Sequence, residues 1–193
     1  MIEVKDLGLE IVAQSKKEGL VLRFDENQDI MPFLRANAER VRAINAEEPF
    51  IVIRNIRVDD ETAIRGRTQI GWHESTAIWH TDMVDGVALI NNRKGNKRGK
   101  TLWVPKGVMR ASVEAVAKMN LPDDIEVFQR KASIRVPGFL NPDSKFIVEL
   151  EEHMADEIRE CDWYLNDDSI AIFDDRKGLH RGKYTKDKDS QPL

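Results

Sequence analysis

Apolar residues recur at helical spacing in three stretches of the chain. Residues 33–45, which follow Pro32, place apolar side chains about every 3.6 positions with charged residues between them, and residues 107–119 repeat the pattern. From Lys145 onward, apolar residues recur every four positions between glutamates. Each stretch predicts an amphipathic helix, and the third helix has an acidic outer face.

Shorter apolar runs between these helices predict β-strands. Most are rich in β-branched residues, and the run SIAIF at residues 169–173 is apolar on both faces, which is typical of a strand inside a sheet. Short strands with helices outside the richest strand blocks predict a mainly β fold with flanking helices, a sandwich or barrel rather than a βαβ repeat. The predicted strands lie at residues 50–54, 87–90, 101–104, 125–136, 169–173 and 178–184.

Length and composition restrict the class of protein. With 193 residues, we expect one domain, with a helix-and-strand support over about 1–60 and a core over about 70–193. The chain has 41% hydrophobic and 33% charged residues, a composition that excludes a disordered protein. It has no run of roughly 18 apolar residues, which excludes a membrane-spanning protein. A net charge of -4 argues against a dedicated nucleic-acid binder. The lone cysteine, Cys161, is expected to be a buried thiol, and an N-terminus without a signal-peptide pattern predicts a cytoplasmic protein.

Four histidines limit where imidazole chemistry can occur. His80 and Asp82 stand two residues apart, and in an extended strand such residues project from the same face. His180 lies in a separate predicted strand 100 residues further along. Two histidines and one carboxylate on one face of a metal ion leave three positions open, the arrangement of non-haem Fe(II) oxygenases. From spacing alone, a structural His80 paired with Asp82 explains the pattern equally well.

Three ordered segments carry a resemblance to a known family. They are residues 78–83 (IWHTDM), residues 99–104 (GKTLWV) and residues 169–182 (SIAIFDDRKGLHRG). In order and relative position they resemble the taurine dioxygenase (TauD/TfdA-like) branch of the Fe(II)- and 2-oxoglutarate-dependent oxygenases, and the similarity spans roughly residues 50–183. In that family the first segment supplies two iron ligands, the second a threonine at 2-oxoglutarate, and the third the last ligand.

The resemblance implies a fold, an activity and a set of site residues. The fold would be a double-stranded β-helix, a relative of the jelly-roll and cupin folds. The iron ligands, and thereby the catalytic residues, would be His80, Asp82 and His180, and Thr101 would contact the cosubstrate 2-oxoglutarate. The activity would be O2-dependent hydroxylation of a C–H bond of a small molecule, with release of succinate and CO2. Asp82 favours an oxygenase over the related halogenases, which carry a small residue at this position.

The chain departs from the family near its C-terminal end. Family members commonly place an arginine about ten to fifteen residues after the distal histidine, where it pairs with the 5-carboxylate of 2-oxoglutarate. Residues 190–193 (SQPL) contain none. Three explanations stay open, namely a shortened C-terminus, another cation, or impaired 2-oxoglutarate binding. Arg93 and Lys94 are candidates for that cation, whereas strand alternation turns Arg181 away from the face of His180.

Other conspicuous residues have both a functional and a structural interpretation. His73 and Trp79 are candidate substrate residues, although Trp79, like Trp103, is equally typical of packing around a metal site. The basic loop at residues 93–100 would attract an anionic substrate or a nucleic-acid phosphate, but such loops are more often solvated. His153 lies on an acidic helix face and is expected to be solvated.

The sequence therefore supports three functional hypotheses. The first is an Fe(II)- and 2-oxoglutarate-dependent oxygenase acting on a small molecule of unknown identity. The second is a metal-binding β-helix protein without catalysis or with impaired cosubstrate binding, and the third is a nucleic-acid-directed oxygenase that uses the basic loop. No membrane partner is expected. The interval between His80 and His180 is short for this branch, which predicts a reduced substrate lid. The pocket would then be either open or completed by a partner, and a second copy of the chain is one such partner.

Overall fold

The computed structural model describes residues 4–25, 28–57, 78–82, 87–91, 100–162 and 168–183. Within these ranges the chain forms eight β-strands, five α-helices and a short 3-10 helix at Val4–Leu7. The strands are β1 (Glu10–Ser15), β2 (Gly19–Arg23), β3 (Phe50–Arg54), β4 (Val87–Asn91), β5 (Lys100–Pro105), β6 (Arg159–Asp162), β7 (Ser169–Phe173) and β8 (Gly178–Lys183). The helices are α1 (Ile30–Ala36), α2 (Ala38–Glu47), α3 (Lys106–Ala117), α4 (Ile125–Arg135) and α5 (Lys145–His153).

The strands form two sheets. The larger sheet has the order β1-β2-β3-β7-β4, and the smaller has the order β6-β5-β8. Strands β2 and β3 run parallel, and the other neighbouring pairs of these strands are antiparallel. Because β7 pairs with both β3 and β4, a strand from the end of the chain lies inside the larger sheet.

The two sheets face each other across an apolar layer. Phe50 of β3 stacks on Phe173 of β7 with ring centroids 6.0 Å apart, and its ring centroid lies 6.3 Å from that of Trp103 on β5. All three side chains are fully buried. The layer also contains Val21, Val52, Cys161 and Ala171. The predicted sandwich of sheets with helical supports is therefore confirmed, since helices cover both outer faces.

Helices α1 and α2 pack on the outer face of the larger sheet. The single helix predicted for residues 33–45 is divided in two at Asn37. At this residue φ is -115°, and both the backbone N–H and the side-chain amide donate to the carbonyl of Phe33. These bonds satisfy a carbonyl at the end of α1, so the apolar period continues into α2 while the helix itself does not.

Helices α3, α4 and α5 pack on the outer face of the smaller sheet. The prediction of strands for residues 125–136 is wrong, because this segment forms α4. Asp124 caps its first turn by accepting the N–H of Val127 at 2.9 Å. The buried residues of α4 are Phe128 and Ala132, four positions apart. The buried side chains therefore follow the helical period, although apolar and polar residues roughly alternate along the same stretch.

The remaining elements agree with the sequence in kind and within a few residues in extent. The predicted strands at 50–54, 87–90, 101–104, 169–173 and 178–184 correspond to β3, β4, β5, β7 and β8, and the predicted helices at 107–119 and from Lys145 correspond to α3 and α5. Strands β1, β2 and β6 were not predicted. Among the residues that the structure describes, no helix has the length and apolar character needed to cross a membrane.

Candidate metal centre

Residues 78–82 run alongside β8 at the edge of the smaller sheet. The backbone N–H of His80 donates to the carbonyl of His180 at 2.9 Å, and the N–H of His180 donates to the carbonyl of His80 at 2.8 Å. This antiparallel bridge places the two histidines directly opposite each other, with ring centroids 4.2 Å apart. Two residues separated by 100 positions in the sequence are thereby fixed side by side by their backbones.

Asp82 completes a group of three. Its Oδ1 lies 3.7 Å from His80 Nε2, and its Oδ2 lies 3.7 Å from His180 Nε2. One ligand atom from each of the three residues lies within 4.8 Å of the other two. His180 is buried, whereas the Asp82 side chain is 50% exposed. The group therefore has a closed side, formed by the sandwich, and an open side toward solvent.

Hydrogen bonds hold both imidazoles in one tautomer. His80 Nδ1 lies 2.8 Å from the carbonyl oxygen of Ile78, and His180 Nδ1 lies 2.9 Å from Oδ1 of Asp175. Both partners accept hydrogen bonds, so each Nδ1 carries the proton and donates it. In a neutral ring the lone pair then lies on Nε2, the atom that faces Asp82 in both histidines.

Burial keeps the first of these rings neutral. Desolvation lowers the pKa of His80, and the neighbouring His180 lowers it further. A neutral imidazole is the form that binds a metal ion. At neutral pH, His80 is therefore ready to act as a ligand without first losing a proton.

Asp175 lies behind the group and was not singled out from the sequence. Its side chain is completely buried, and it accepts hydrogen bonds from His180 Nδ1–H, from the Thr81 hydroxyl at 2.6 Å and from the backbone N–H of Asp82. Burial alone would raise the pKa of this carboxyl, but the bonds from His180 and Thr81 lower it below its ordinary value. Asp175 is therefore a carboxylate. The available sequence signal was a second acidic residue in the turn before His180.

Aromatic side chains pack against the buried ring of His180. The centroid of the Phe173 ring lies 4.7 Å from that of His180. Trp103 is the register partner of His180 on β5, and its indole lies against the backbone of Gly178. These contacts make the sandwich side of the group rigid and apolar.

The other predicted site residues take different positions. Thr101 is buried on β5, two residues from Trp103 and therefore on the same face of the sheet as His180. Trp79 is fully buried in the helix-side core. Arg181 projects to that same helix side, where its guanidinium lies 3.1 Å from the Glu151 carboxylate but is poorly aligned for a hydrogen bond.

Several residues named from the sequence lie outside the described residues. They are His73, Arg93, Lys94 and the basic loop apart from Lys100. Lys100 forms ion pairs with Glu160 and Asp162. His153 is exposed, as predicted, with Nδ1 3.1 Å from the Ser112 hydroxyl.

The fold is similar to that of solved dioxygenases. A protein assigned as an alpha-ketoglutarate-dependent 2,4-D dioxygenase from Burkholderia xenovorans has a TM-score of 0.52 at 13% identity, covering 95% of this chain and 93% of that chain. A taurine dioxygenase from the same organism gives 0.50 at 16% identity, with coverage of 95% and 86%. AAD-2 in complex with Mn(II) and N-oxalylglycine gives 0.52 at 15% identity, with coverage of 95% and 93%. No protein-family model matches the chain, and no curated protein does. The likeness agrees with the fold implied by the three sequence segments.

Proposed function

We propose that this chain is a non-haem Fe(II)- and 2-oxoglutarate-dependent oxygenase that hydroxylates a C–H bond of a small molecule and releases succinate and CO2. The observation that carries the proposal is the group formed by His80, Asp82 and His180, whose ligand atoms converge while both Nδ1 atoms are engaged elsewhere. The facing sheets are proposed to be the two halves of a double-stranded β-helix. The likeness to solved dioxygenases supports this fold.

The donor set fits an Fe(II) ion. Two imidazole nitrogens and one carboxylate oxygen are the ligands of the non-haem Fe(II) oxygenases. Two atoms that each bind one ion at about 2.1 Å are at most about 4.2 Å apart. Each imidazole has a carboxylate oxygen of Asp82 within that limit, since Oδ1 lies 3.7 Å from His80 Nε2 and Oδ2 lies 3.7 Å from His180 Nε2. When bound, the iron would supply the activation of O2.

The residues of the chain have distinct roles in this proposal. His80 and His180 hold the ion through neutral Nε2 atoms, and Asp82 supplies a negative charge that helps to balance the charge of the ion. Because Asp82 takes the third ligand position, the site favours hydroxylation over halogenation. Thr101, on the same sheet face as His180, is the proposed contact to 2-oxoglutarate. Arg181, which projects to the helix side, is not proposed as the cation for the 5-carboxylate.

Anaerobic addition of Fe(II) and 2-oxoglutarate to the purified protein tests the proposal. We expect the weak visible charge-transfer band of the chelate in the parent protein. His80→Ala and Asp82→Ala remove a ligand and should abolish the band. His153→Ala is the matched control, because this exposed histidine lies outside the group, and the band should persist. A parent protein without the band would contradict the proposal.

Succinate formation separates a catalyst from a protein that only binds metal. We expect iron-dependent conversion of 2-oxoglutarate to succinate even without the proper substrate, at a low rate. Loss of this conversion in His180→Ala would connect it to the group. Metal binding without any succinate would instead favour the hypothesis of a metal-binding protein with impaired cosubstrate binding.

A further inference from the structure

We propose that Asp175 is a positioning residue that fixes the His180 imidazole and, through its negative charge, strengthens that imidazole as a metal ligand. The inference rests on the proposed metal-binding function, and it adds a residue that does not touch the metal, the cosubstrate or the reacting atoms. It assigns to the buried carboxylate a role in metal affinity and in the redox behaviour of the site.

The carboxylate of Asp175 is buried. Asp175 has no exposed surface, and a buried charge is retained only where bonds compensate for the loss of water. Its Oδ1 accepts from His180 Nδ1–H at 2.9 Å, and its Oδ2 accepts from the Thr81 hydroxyl at 2.6 Å. Each carboxylate oxygen is therefore used, and one of the two bonds goes to a proposed ligand.

The bonds of Asp175 connect both ligand-bearing segments. Asp175 lies in the turn before β8, which carries His180, and its carboxylate also receives the Thr81 hydroxyl and the backbone N–H of Asp82. Its backbone carbonyl oxygen lies 2.8 Å from the same Thr81 hydroxyl, so both oxygens of residue 175 share the single hydroxyl proton. One side chain thus holds the spacing between the segment of His80 and Asp82 and the strand of His180.

The charge of Asp175 affects the donor strength of the His180 ring. A carboxylate that accepts the N–H of a metal-bound imidazole fixes its tautomer and raises the basicity of the opposite nitrogen, and loss of such a partner typically lowers metal affinity about 10–100-fold. His80 lacks this carboxylate, because its Nδ1–H donates to a neutral backbone carbonyl. The two histidines are therefore unequal ligands, and His180 is the stronger donor.

Asparagine at this position separates the charge from the hydrogen bonds. The amide oxygen of Asp175→Asn can still accept from His180 Nδ1–H. Its NH2 group can donate to the Thr81 oxygen, whose own proton can go to the backbone carbonyl of residue 175, already 2.8 Å away. Asp175→Ala removes both the charge and the bonds. Thr81→Val keeps the charge and the bond to His180 but removes the hydroxyl that joins Asp175 to the segment of His80 and Asp82. His153→Ala, at an exposed histidine outside the group, is the matched control.

Equilibrium binding of Mn(II) to the metal-free protein, followed by electron paramagnetic resonance, measures the effect without any turnover. We expect the Kd to rise about 10–100-fold in Asp175→Ala. We expect smaller rises in Asp175→Asn and in Thr81→Val, and a value near that of the parent in His153→Ala. In the iron-loaded protein, the Fe(III)/Fe(II) midpoint potential should rise in Asp175→Asn, because loss of a nearby negative charge disfavours the more highly charged ion. Circular dichroism and Tm verify that each variant is folded.

The outcomes are distinguishable. An Asp175→Asn protein with the parent Kd and the parent potential would overturn the role of the charge. If Asp175→Ala misfolds, the asparagine variant still decides the question. A parent protein that binds no Mn(II) would overturn both this inference and the proposed function, whereas normal binding in the parent with no change in the asparagine variant would overturn this inference alone.

Discussion

Alanine at Gly178 should destabilise the protein, because there is no room for a side chain at the start of β8. A Cβ on this residue would lie 2.3 Å from Cε2 and 2.5 Å from Nε1 of Trp103. Carbon atoms pack at about 3.5–4.0 Å, so the ring or the strand would have to move by roughly 1 Å or more. Neither can move freely, because Trp103 is fully buried and Gly178 is paired with Pro105 of β5.

Overpacking of this kind costs about 1–3 kcal/mol of unfolding free energy, and the short distances place Gly178→Ala toward the upper end of that range. Gly107→Ala is the matched control. No atom outside the helix lies within 4 Å of the Cβ that it would add, and Gly107 lies in the first turn of α3, where alanine is compatible with the helix. Urea unfolding followed by tryptophan fluorescence should therefore show a clear loss of stability in Gly178→Ala and none in Gly107→Ala.

A double-mutant cycle with Trp103 tests whether the indole is the cause. Trp103→Leu alone opens a cavity and should also destabilise the protein. In that background the added methyl group has space, so Gly178→Ala should cost less than it does in the parent. An equal cost in both backgrounds, or a Gly178→Ala protein as stable as the parent, would refute the reasoning.

Three further predictions concern one buried thiol and two ion pairs. Burial raises the pKa of Cys161 to about 12, so iodoacetamide at mildly alkaline pH should label the thiol only after unfolding in guanidinium, as peptide mass spectrometry can verify. Glu151→Ala leaves the guanidinium of Arg181 buried without its partner and should lower the free energy of unfolding by about 3–5 kcal/mol in urea, more than Arg181→Met, which removes the charge and keeps the volume. Burial would raise the pKa of Glu160, but its bond to Lys100 lowers it below the ordinary value. The folded state thus binds fewer protons at Glu160 than the unfolded state does. The resulting stabilisation of the folded protein is full above the unfolded-state pKa of Glu160 and is lost as the pH falls through its folded-state pKa. Glu160→Gln should therefore flatten the acid side of a profile of unfolding free energy against pH.

The sheet centres could be predicted because their signal is local. Strand β7 is buried at every position, so an uninterrupted apolar run marks it. Strand β1 lies at the edge of the larger sheet, and five of its six residues are exposed. An edge strand of this kind has no buried face, so its sequence shows no alternation and its pairing with β2 cannot be inferred from the pattern.

Helix α4 shows why the spacing of apolar residues alone predicted the wrong element for residues 125–136. Only two of its residues, Phe128 and Ala132, are buried, whereas Val127 and Ile134 are exposed. Apolar residues alternate with polar ones at 125–127 and again at 132–136, which imitates two short strands, and the buried pair is too small to dominate. The Asp124 cap was the better signal, because it marks the start of the helix whatever follows.

The candidate site shows the same limit at the level of chemistry. The proximity of His80 and Asp82 follows from their spacing, because alternate residues of an extended segment share a face. The position of His180 opposite His80 depends on a backbone bridge between segments 100 residues apart, which only a resemblance to a known family could suggest in advance. For Asp175 the sequence offers only a second acidic residue in the turn before His180. An aspartate in a turn is ordinarily a solvated residue, and its place in the site arises from three donors that converge on it only when β8 and the segment of His80 lie side by side. The residues that would bind a metal can therefore be found from sequence more easily than the residue that holds them in position.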